Sequence, residues 1–312
     1  MIKRRFGSTE LQVSVLGLGC NNFGGRIDRQ KTQTVIDAAL DAGINFLDTA
    51  DVYGDRGGSE TLLGEMLGRR RENVILATKF GLPMDDNGRL SGGSHAYVMS
   101  AVEATLKRLR TDWIDVYYLH RPDPATPVEE TLTALDDLIR QGKVRFAGCS
   151  NMSGAQLAAA LDTSRAKGLQ SFVASQDDYS LLSRAIENDV LPVVEREGLA
   201  LVPYFPLASG MLTGKYRKGE PIPTGTRLAN ARFGDRFVNE RNLEIVEQLT
   251  AFCETRNRSL LELAFGWLLS RRSVASVIAG ATSPEQVRTN AAALSWTLTN
   301  DEMEAVDRIC AP

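Results

Sequence analysis

The sequence predicts an α/β protein built as a (β/α)8, or TIM, barrel. Three observations lead there. Short apolar runs alternate with longer amphipathic runs from Val13 to Asn290. Most of the short runs are almost continuously apolar, as parallel strands covered on both faces are. Eight strand–helix pairs can be traced, which is the barrel's count.

The strand candidates are 13–19, 45–49, 74–79, 115–120, 144–149, 172–176, 200–204 and 275–280. Between them, 32–41 places Val35, Ile36, Ala39 and Leu40 on one helical face, and 59–67 does the same with Leu62, Leu63, Met66 and Leu67. Residues 97–109 align Val98, Val102, Leu106 and Leu109, and 128–140 align Leu132, Leu135, Leu138 and Ile139. Further helices are expected over 153–165, 184–197, 260–270 and 284–292. Ser153 is a candidate cap, and Ser283 precedes Pro284, a residue favoured in a first helical turn. A doubly wound sheet would need a GxGxxG loop after its first strand. Leu18-Gly19-Cys20-Asn21-Asn22-Phe23-Gly24-Gly25 does not fit that pattern and reads as a loop at the barrel mouth.

The spacing breaks once, between strands seven and eight. Residues 207–234 are rich in Gly, Pro, Lys and Arg, and a helix is expected over 239–255. Long insertions in compact domains are functional lids or mobile linkers. This one lies where a barrel's ligand-binding loops lie, so it is read as a lid.

Length and composition bound the rest. A chain of 312 residues fits one barrel domain spanning 1–312, because α/β barrels run long. Hydrophobic residues at 43% and charged residues at 24% suit a folded globular chain. The balance of 36 basic and 39 acidic residues gives −3, without the basic excess that nucleic-acid binding needs. The run Arg69-Arg70-Arg71 is expected to be a solvated helix end. Cys20, Cys149, Cys253 and Cys310 are far apart and form no metal-binding or redox pair. Free thiols, no secretory signal in the first six residues and no membrane-length apolar run give a cytoplasmic expectation without a membrane partner. The pattern does not specify an oligomeric state.

Functional residues of this fold sit at the C-terminal ends of strands. Those ends carry Asp48, continuing to Tyr53-Gly54, then Lys79, His120, Ser150-Asn151, Gln176 and Tyr204. Tyrosine is a poor acid near neutrality because its pKa is about 10. A nearby ammonium favours the phenolate, and Lys79 can supply it. Asp48 can hold Lys79 by a charge-assisted hydrogen bond. His120 can orient a carbonyl oxygen or shuttle a proton. Each residue alone has a plainer reading: a structural ion pair, a satisfied polar group, a packed ring. Together they form an acid–base set. His95 and His120 make no HxH or HxxxH motif, so no metal site is expected, and Ser150 lacks the elbow of a hydrolase. Glu129-Glu130 and Asp136-Asp137 are expected to be solvated on a helix surface.

At this point the motifs resemble a known family, the aldo-keto reductases. Phe46-Leu47-Asp48-Thr49-Ala50-Asp51-Val52-Tyr53-Gly54 is similar to that family's first signature. Leu76-Ala77-Thr78-Lys79 is similar to its lysine strand, and Asp115-Val116-Tyr117-Tyr118-Leu119-His120 to its histidine strand. Gly148-Cys149-Ser150-Asn151, Tyr204-Phe205-Pro206-Leu207 and Leu212-Thr213-Gly214-Lys215-Tyr216 match in order, so the resemblance covers nearly the whole chain. It implies reversible, NADPH-dependent reduction of an aldehyde or ketone, with NADP+ as the oxidised form and NADH as a weaker alternative. Tyr53 matches the proton donor, Lys79 and Asp48 its tuning partners, and His120 the orienting residue. Ser150, Asn151 and Gln176 match residues that bond the carboxamide, and Tyr204 the ring that stacks on the nicotinamide. Leu207, Gly210, Lys215 and Arg227 match the lid over the phosphates. Ala281, Thr282, Gln286 and Asn290 match the adenosine end, and Gly19, Asn21, Phe205 and Gly280 complete the implied cofactor set.

Two departures stand out. Phe205 occupies a position where many members have serine, so its lid contact becomes apolar or backbone-only. Gln286 and Thr289 stand where some branches have arginine and glutamate. The lid and Gln286 resemble the branch of potassium channel β subunits and bacterial sugar-aldehyde reductases. That branch carries an alternative function, a slow-turnover NADPH-binding sensor or partner-binding module, although no extra arm precedes the barrel. A barrel isomerase or lyase would need a phosphate site and a different base. The substrate is a small carbonyl compound, facing loops 21–26, 80–94 and 121–127. Asp85, Asp86, Asn87 and Arg89 line a polar pocket or merely solvate a loop. Arg121 meets an anionic substrate or pairs with Asp123. The chain ends soon after Cys310, so an open pocket is expected.

Overall fold

The computed structural model describes residues 1–311; Pro312, the last residue of the expected domain span, lies outside them. The chain opens with two short antiparallel strands, β1 (Lys3–Arg5) and β2 (Gln12–Ser14). Alternation then begins with β3 (Leu16–Gly19), α1 (Arg29–Asp41), β4 (Phe46–Asp48) and α2 (Tyr53–Leu67). It continues through β5 (Ile75–Phe80), α3 (His95–Leu109), β6 (Ile114–Leu119) and α4 (Val128–Arg140). Next come β7 (Val144–Ser150), α5 (Gly154–Lys167), β8 (Phe172–Gln176), α6 (Val190–Glu197) and β9 (Ala200–Leu201). The long insertion holds α7 (Ala231–Phe237) and α8 (Glu240–Glu254). The chain finishes with α9 (Leu260–Leu269), β10 (Val277–Gly280), α10 (Pro284–Ala292) and α11 (Asn300–Ile309).

The eight strands β3 to β10 are parallel, in the order β10-β3-β4-β5-β6-β7-β8-β9. The seam is closed by a bridge between Leu201 and Val274 and by the Ala275 N–H on the Leu201 carbonyl at 3.0 Å. The Ile278 N–H adds a bond to the Pro203 carbonyl at 3.2 Å. This is the barrel that the alternation predicts. Helix starts are fixed by side-chain caps: Asp28, Ser94, Ser153, Asn239, Ser259, Ser283 and Thr299 each accept a backbone N–H of the first turn. No helix among the described residues is long and apolar enough to cross a membrane.

Period-2 alternation splits the apolar residues into two cores. Phe46, Ala77, Val116, Tyr118 and Ala174 pack inside the barrel, together with Phe6, Leu11 and Val13 of the terminal hairpin. The outward residues, such as Leu47, Leu76, Tyr117 and Leu119, pack under the helices. The hairpin was not expected. Its strands are too short and too charged to show a period, and the expected strand 13–19 splits at Val15 between the hairpin and the barrel. Phe6 packs against Phe46 with ring centroids 5.7 Å apart, so the hairpin fills the inner core. Arg4 ties it down by donating to the carbonyls of Leu269 (2.6 Å) and Val274 (2.8 Å).

Other expectations need correction. Strand 200–204 shrinks to Ala200–Leu201, and Tyr204 only bridges Asp178. Helix 184–197 starts at Val190, after a tight turn at Ala185–Asn188. Arg71 is buried rather than solvated: it pairs with Asp115, donates to the Trp113 carbonyl at 2.8 Å and stacks on the Trp113 ring. Asp136 is buried too, accepting from the Gln170 N–H and from Arg140. Charge runs read one residue at a time hide such inward-turned members.

Helix α2 crosses α3 with backbone contact at Gly64. A methyl group there would lie 2.6 Å from the Leu109 carbonyl carbon and closer still to the Arg108 carbonyl oxygen. Gly64→Ala should therefore destabilise the protein by about 1–3 kcal/mol through overpacking. Urea unfolding measures it, and an unchanged midpoint would show that the two helices separate freely.

Candidate functional site

The barrel geometry explains how distant residues meet. On β4, β5 and β6 the residues that face inward are Phe46 and Asp48, Ala77 and Lys79, and Val116 and Tyr118, with His120 following. Asp48, Lys79 and His120 thus converge at one end of the sheet. Lys79 is fully buried and donates to the Asp48 carboxylate (Oδ2, 2.7 Å) and to the Thr49 carbonyl (2.7 Å). The second Asp48 oxygen accepts from the Gln176 amide at 2.8 Å. Burying one charge alone would cost several kcal/mol, so the pair stands only because each partner is satisfied.

Tyr53 lies next to this pair. The Lys79 ammonium is 5.1 Å from the centre of its ring, and the His120 ring meets it edge-on at 5.9 Å. Burial pushes the Tyr53 phenol up, the Lys79 charge pulls it down and Asp48 opposes Lys79; the net shift is upward. This qualifies the expectation that Lys79 makes Tyr53 more acidic, because desolvation is larger than the Coulomb effect. Lys79 itself is held protonated: burial works against the ammonium, but Asp48 and Tyr53 outweigh it. Burial, with Lys79 and Arg121 adding to it, lowers His120 to about 2, so its imidazole is neutral. Its Nδ1 is buried with no hydrogen-bond partner.

The segment after Tyr53 is unusual. Gly54, Asp55, Arg56 and Gly57 have φ of 68°, 58°, 62° and 115°, a left-handed turn that precedes the regular part of α2. Left-handed non-glycine residues carry strain, and such strain gathers at functional sites. A side chain at Gly54 would meet the Phe23 carbonyl at 2.5 Å and the Ser59 N–H nitrogen at 2.6 Å. The turn is also tied outward, by Arg56 pairing with Asp86.

The other expected residues form a contiguous rim. The Ser150 hydroxyl donates to the Gln176 carbonyl at 2.7 Å. Asn151, left-handed at φ 59°, donates to the His120 carbonyl (3.0 Å) and to Ser150 (2.9 Å). It accepts from the Tyr204 hydroxyl at 2.7 Å. The Gln176 amide nitrogen donates to Asp48, so the side-chain oxygen is the atom it can offer a ligand amide. Gly19 pairs with Gly280 across β3 and β10, and Asn21 lies beside Gly280, so this wall is flat.

Whether these residues suit a dinucleotide can be judged from their donors. Ala208, Ser209 and Gly210 all have positive φ, a concave backbone that suits oxyanions. The Ser209 hydroxyl is buried without a partner, and the Lys215 ammonium would lie 3.7 Å from a side chain at Gly210. Leu207 caps the turn by accepting the Gly210 N–H. The donor set fits a pyrophosphate. Phe205 packs among side chains: it meets Tyr204, Phe233 and Phe237 edge-on, with Arg227 and Arg236 over its face. At the opposite end, Gln286 folds back to accept the Thr282 N–H at 2.8 Å, and Asn290 is buried beneath.

One residue beside the site lies inside the first signature motif but has no role assigned by the sequence. Asp51 is 1% exposed, and neither carboxylate oxygen has a hydrogen-bond partner. Burial and the nearby Glu60 push it up to about 8, against Arg108 and Lys79. Glu60 is satisfied by Thr78 (2.5 Å) and Arg108 (2.7 Å), which leaves Asp51 unpaired behind the acid–base set. The expected alternative of an Arg121–Asp123 pair does not form; Asp123 accepts from Gly93, Ala125 and Thr126 instead.

Comparison with known proteins gives a consistent picture. The sequence model of the Aldo/keto reductase family matches residues 15–311. A probable voltage-gated potassium channel subunit beta of Oryza sativa subsp. japonica is 36% identical, covering 93% of this chain and 90% of its own length. The uncharacterized oxidoreductase YrpG of Bacillus subtilis (strain 168) is 34% identical, over 97% and 94%. A probable aldo-keto reductase 1 of Glycine max is 33% identical, over 97% and 87%.

Asp51 makes stability depend on pH. Its folded pKa lies above its unfolded one, so its contribution is full below about pH 4 and is lost as pH rises through about 8. His120, lowered to about 2, acts in the opposite sense below about 6.5. Between about 6.5 and 8 Asp51 is therefore uncompensated by His120, and stability should fall by up to about 1.4 kcal/mol per pH unit. Asp51→Asn should flatten that slope in urea unfolding; parallel slopes for the two proteins would refute it.

Proposed function

The chain belongs to the aldo/keto reductase family and is an oxidoreductase of that kind, and from this premise we propose that it reduces an aldehyde or ketone with NADPH, Tyr53 acting as the acid. The observation that carries the reading is the buried relay from Gln176 through Asp48 and Lys79 to the Tyr53 ring. When bound, the reduced nicotinamide supplies the hydride to the carbonyl carbon. The protein's own task is then to place the carbonyl oxygen, exclude water and deliver one proton.

Tyr53 gives its phenolic proton to the oxygen as negative charge builds there. Lys79, held protonated, stabilises the phenolate that results. Asp48 fixes the ammonium, and Gln176 and the Thr49 carbonyl fix Asp48 and Lys79 in turn, so no reorganisation is needed at the moment of transfer. His120 stays neutral and orients the oxygen as a hydrogen-bond donor rather than as an acid. Ser150 and Asn151 would bond a carboxamide, with Tyr204 offering its ring. Ser209, Gly210, Lys215 and Arg227 would hold the phosphates under the lid. Thr282, Gln286 and Asn290 would hold the adenosine end, where a helix N-terminus favours anions. The cationic lid suits the pyrophosphate that NADPH and NADH share; the choice of NADPH, with NADH the weaker alternative, rests on the family.

A second reading has one specific support, the relative named as a probable potassium channel beta subunit. In it the same cofactor site reports redox state to a partner, and turnover is slow. The relay does not distinguish the two; the rate does.

Tyr53→Phe should lower kcat by about 10²–10⁴-fold while leaving the NADPH Kd within about twofold, since only the proton is removed. NADPH absorbance with a panel of aldehydes and ketones measures the first, and fluorescence titration the second. Equal rates for the two proteins would sink the assignment of Tyr53. Wild-type binding without turnover across the panel would favour the sensor.

A further inference from the structure

The end of β8 carries a buried carboxylate that the acid–base set does not use. Asp177 follows Gln176 and is 3% exposed. Cys149 and Ser150 of β7 pair with Ser175 and Gln176 of β8, so the register sets Asp177 beside Asn151. Ser175 donates its hydroxyl to the Asp177 carboxylate (Oδ2, 2.5 Å), and the Asn151 backbone N–H bonds to that carboxylate as well. The Asp177 backbone carbonyl accepts the Tyr204 N–H at 2.9 Å. Tyr204 in turn donates its hydroxyl to the Asn151 side-chain oxygen at 2.7 Å. Asp177, Asn151 and Tyr204 thus close a triangle in which each member is bonded to the other two.

One corner of the triangle is strained. Asn151 is left-handed at φ 59°, a conformation that persists in a non-glycine residue only where its surroundings over-determine it. Its side-chain nitrogen is taken up by the His120 carbonyl and by Ser150, which leaves the peptide N–H to Asp177. No cation offsets the Asp177 charge among the groups that bear on it: Asp189 ahead of α6, Cys149 on β7, Tyr118 on β6 and Tyr204 after β9. Burial pushes the carboxyl up to about 6, with Asp189 adding to the rise and Ser175 and the Asn151 N–H opposing it. At neutral pH the group is therefore an anion, held by the donors aimed at it.

We propose that Asp177 is a positioning residue for the nicotinamide end of the cofactor: its carboxylate holds the Asn151 turn in the shape that presents Asn151 and Tyr204 to the carboxamide and the ring. The inference rests on the cofactor half of the proposed function, which the sensor reading shares. Asp177 acts through Asn151 and Tyr204 and does not itself touch the ligand. A hydrogen bond to a carboxylate is stronger than one to a neutral carboxyl. Protonation of Asp177 thus loosens the turn, and cofactor affinity falls as pH drops through about 6. His120 and Asp51 titrate on either side of that window.

The test is calorimetric binding of NADP+, which is stable in acid, between about pH 7 and about pH 5, to wild type and Asp177→Asn. Asparagine keeps the shape and removes the charge. Near pH 7 the variant should bind NADP+ and NADPH about three- to tenfold more weakly. The gap for NADP+ should close toward pH 5, where wild-type Asp177 is protonated. Taking the difference between the two profiles removes the titration of the cofactor's own 2′-phosphate, at about 6. The fragment 2′,5′-ADP lacks the nicotinamide half and should bind both proteins to within about twofold. Equal NADP+ affinity near pH 7 overturns the inference, as does a gap that persists at pH 5. A loss shared by 2′,5′-ADP marks a general structural defect and overturns it too, and a loss confined to NADP+ marks a charge effect on the oxidised ring and does the same. If wild type binds neither dinucleotide, the cofactor reading fails separately, and the ligand-free protein decides whether Asp177 holds the turn. There the Asn151 amide proton, followed by NMR, should move with a midpoint at about pH 6 in wild type and stay still in Asp177→Asn. A proton that ignores pH in wild type, or moves equally in both proteins, overturns the inference.

Discussion

A lysine buried inside the barrel has to be neutralised, and most of the site follows from that requirement. Lys79 has no access to water, and its charge is met by Asp48 and the Thr49 carbonyl. Asp48 in turn must lie on the neighbouring strand within reach, and the parallel register of β4 and β5 sets it opposite Ala77, two residues before Lys79 on the same inward face. Its second oxygen draws Gln176 from the far side of the barrel. Removing either charge would leave the other buried alone, a cost of about 3–5 kcal/mol. The ion pair therefore holds three strands in mutual register while it sets the electrostatics at Tyr53.

Backbone strain is concentrated in the loops around these side chains. The left-handed residues include Gly54 to Gly57, Asn151, and Phe205 with Ala208 to Gly210. All lie in loops that leave the C-terminal ends of strands. The strands and helices behind them are capped and continuous, so a rigid frame carries the strained loops.

Much of this was legible in the sequence, for physical reasons. Buried parallel strands must be apolar on both faces, so their runs stand out, and polar residues that close such runs stand out more. Asp48, Lys79, His120, Ser150, Gln176 and Tyr204 were found in that way. The hairpin of β1 and β2 was not, because three-residue strands carry no period and Arg4 buries only its head. Arg71 and Asp136 looked like surface charges until their partners on other elements were seen. Asp51 sits inside a recognisable motif, yet its lack of partners depends on Glu60 and Arg108, which arrive from α2 and α3. The glycines at 54, 57 and 58 were the one available sign of the left-handed turn.

The central claim is that the buried Lys79 charge lowers the cost of taking a proton from Tyr53. Ultraviolet difference titration of the phenol, isolated by subtracting the Tyr53→Phe spectrum, tests it in the cofactor-free protein. The comparison is between wild type and Asp48→Asn/Lys79→Met, which removes both charges together and leaves neither stranded. The Coulomb effect of Lys79 outweighs that of Asp48 at Tyr53, so the phenol should titrate at higher pH in the double variant. A Tyr53 that titrates at the same pH in both proteins, or at lower pH in the variant, would contradict the account.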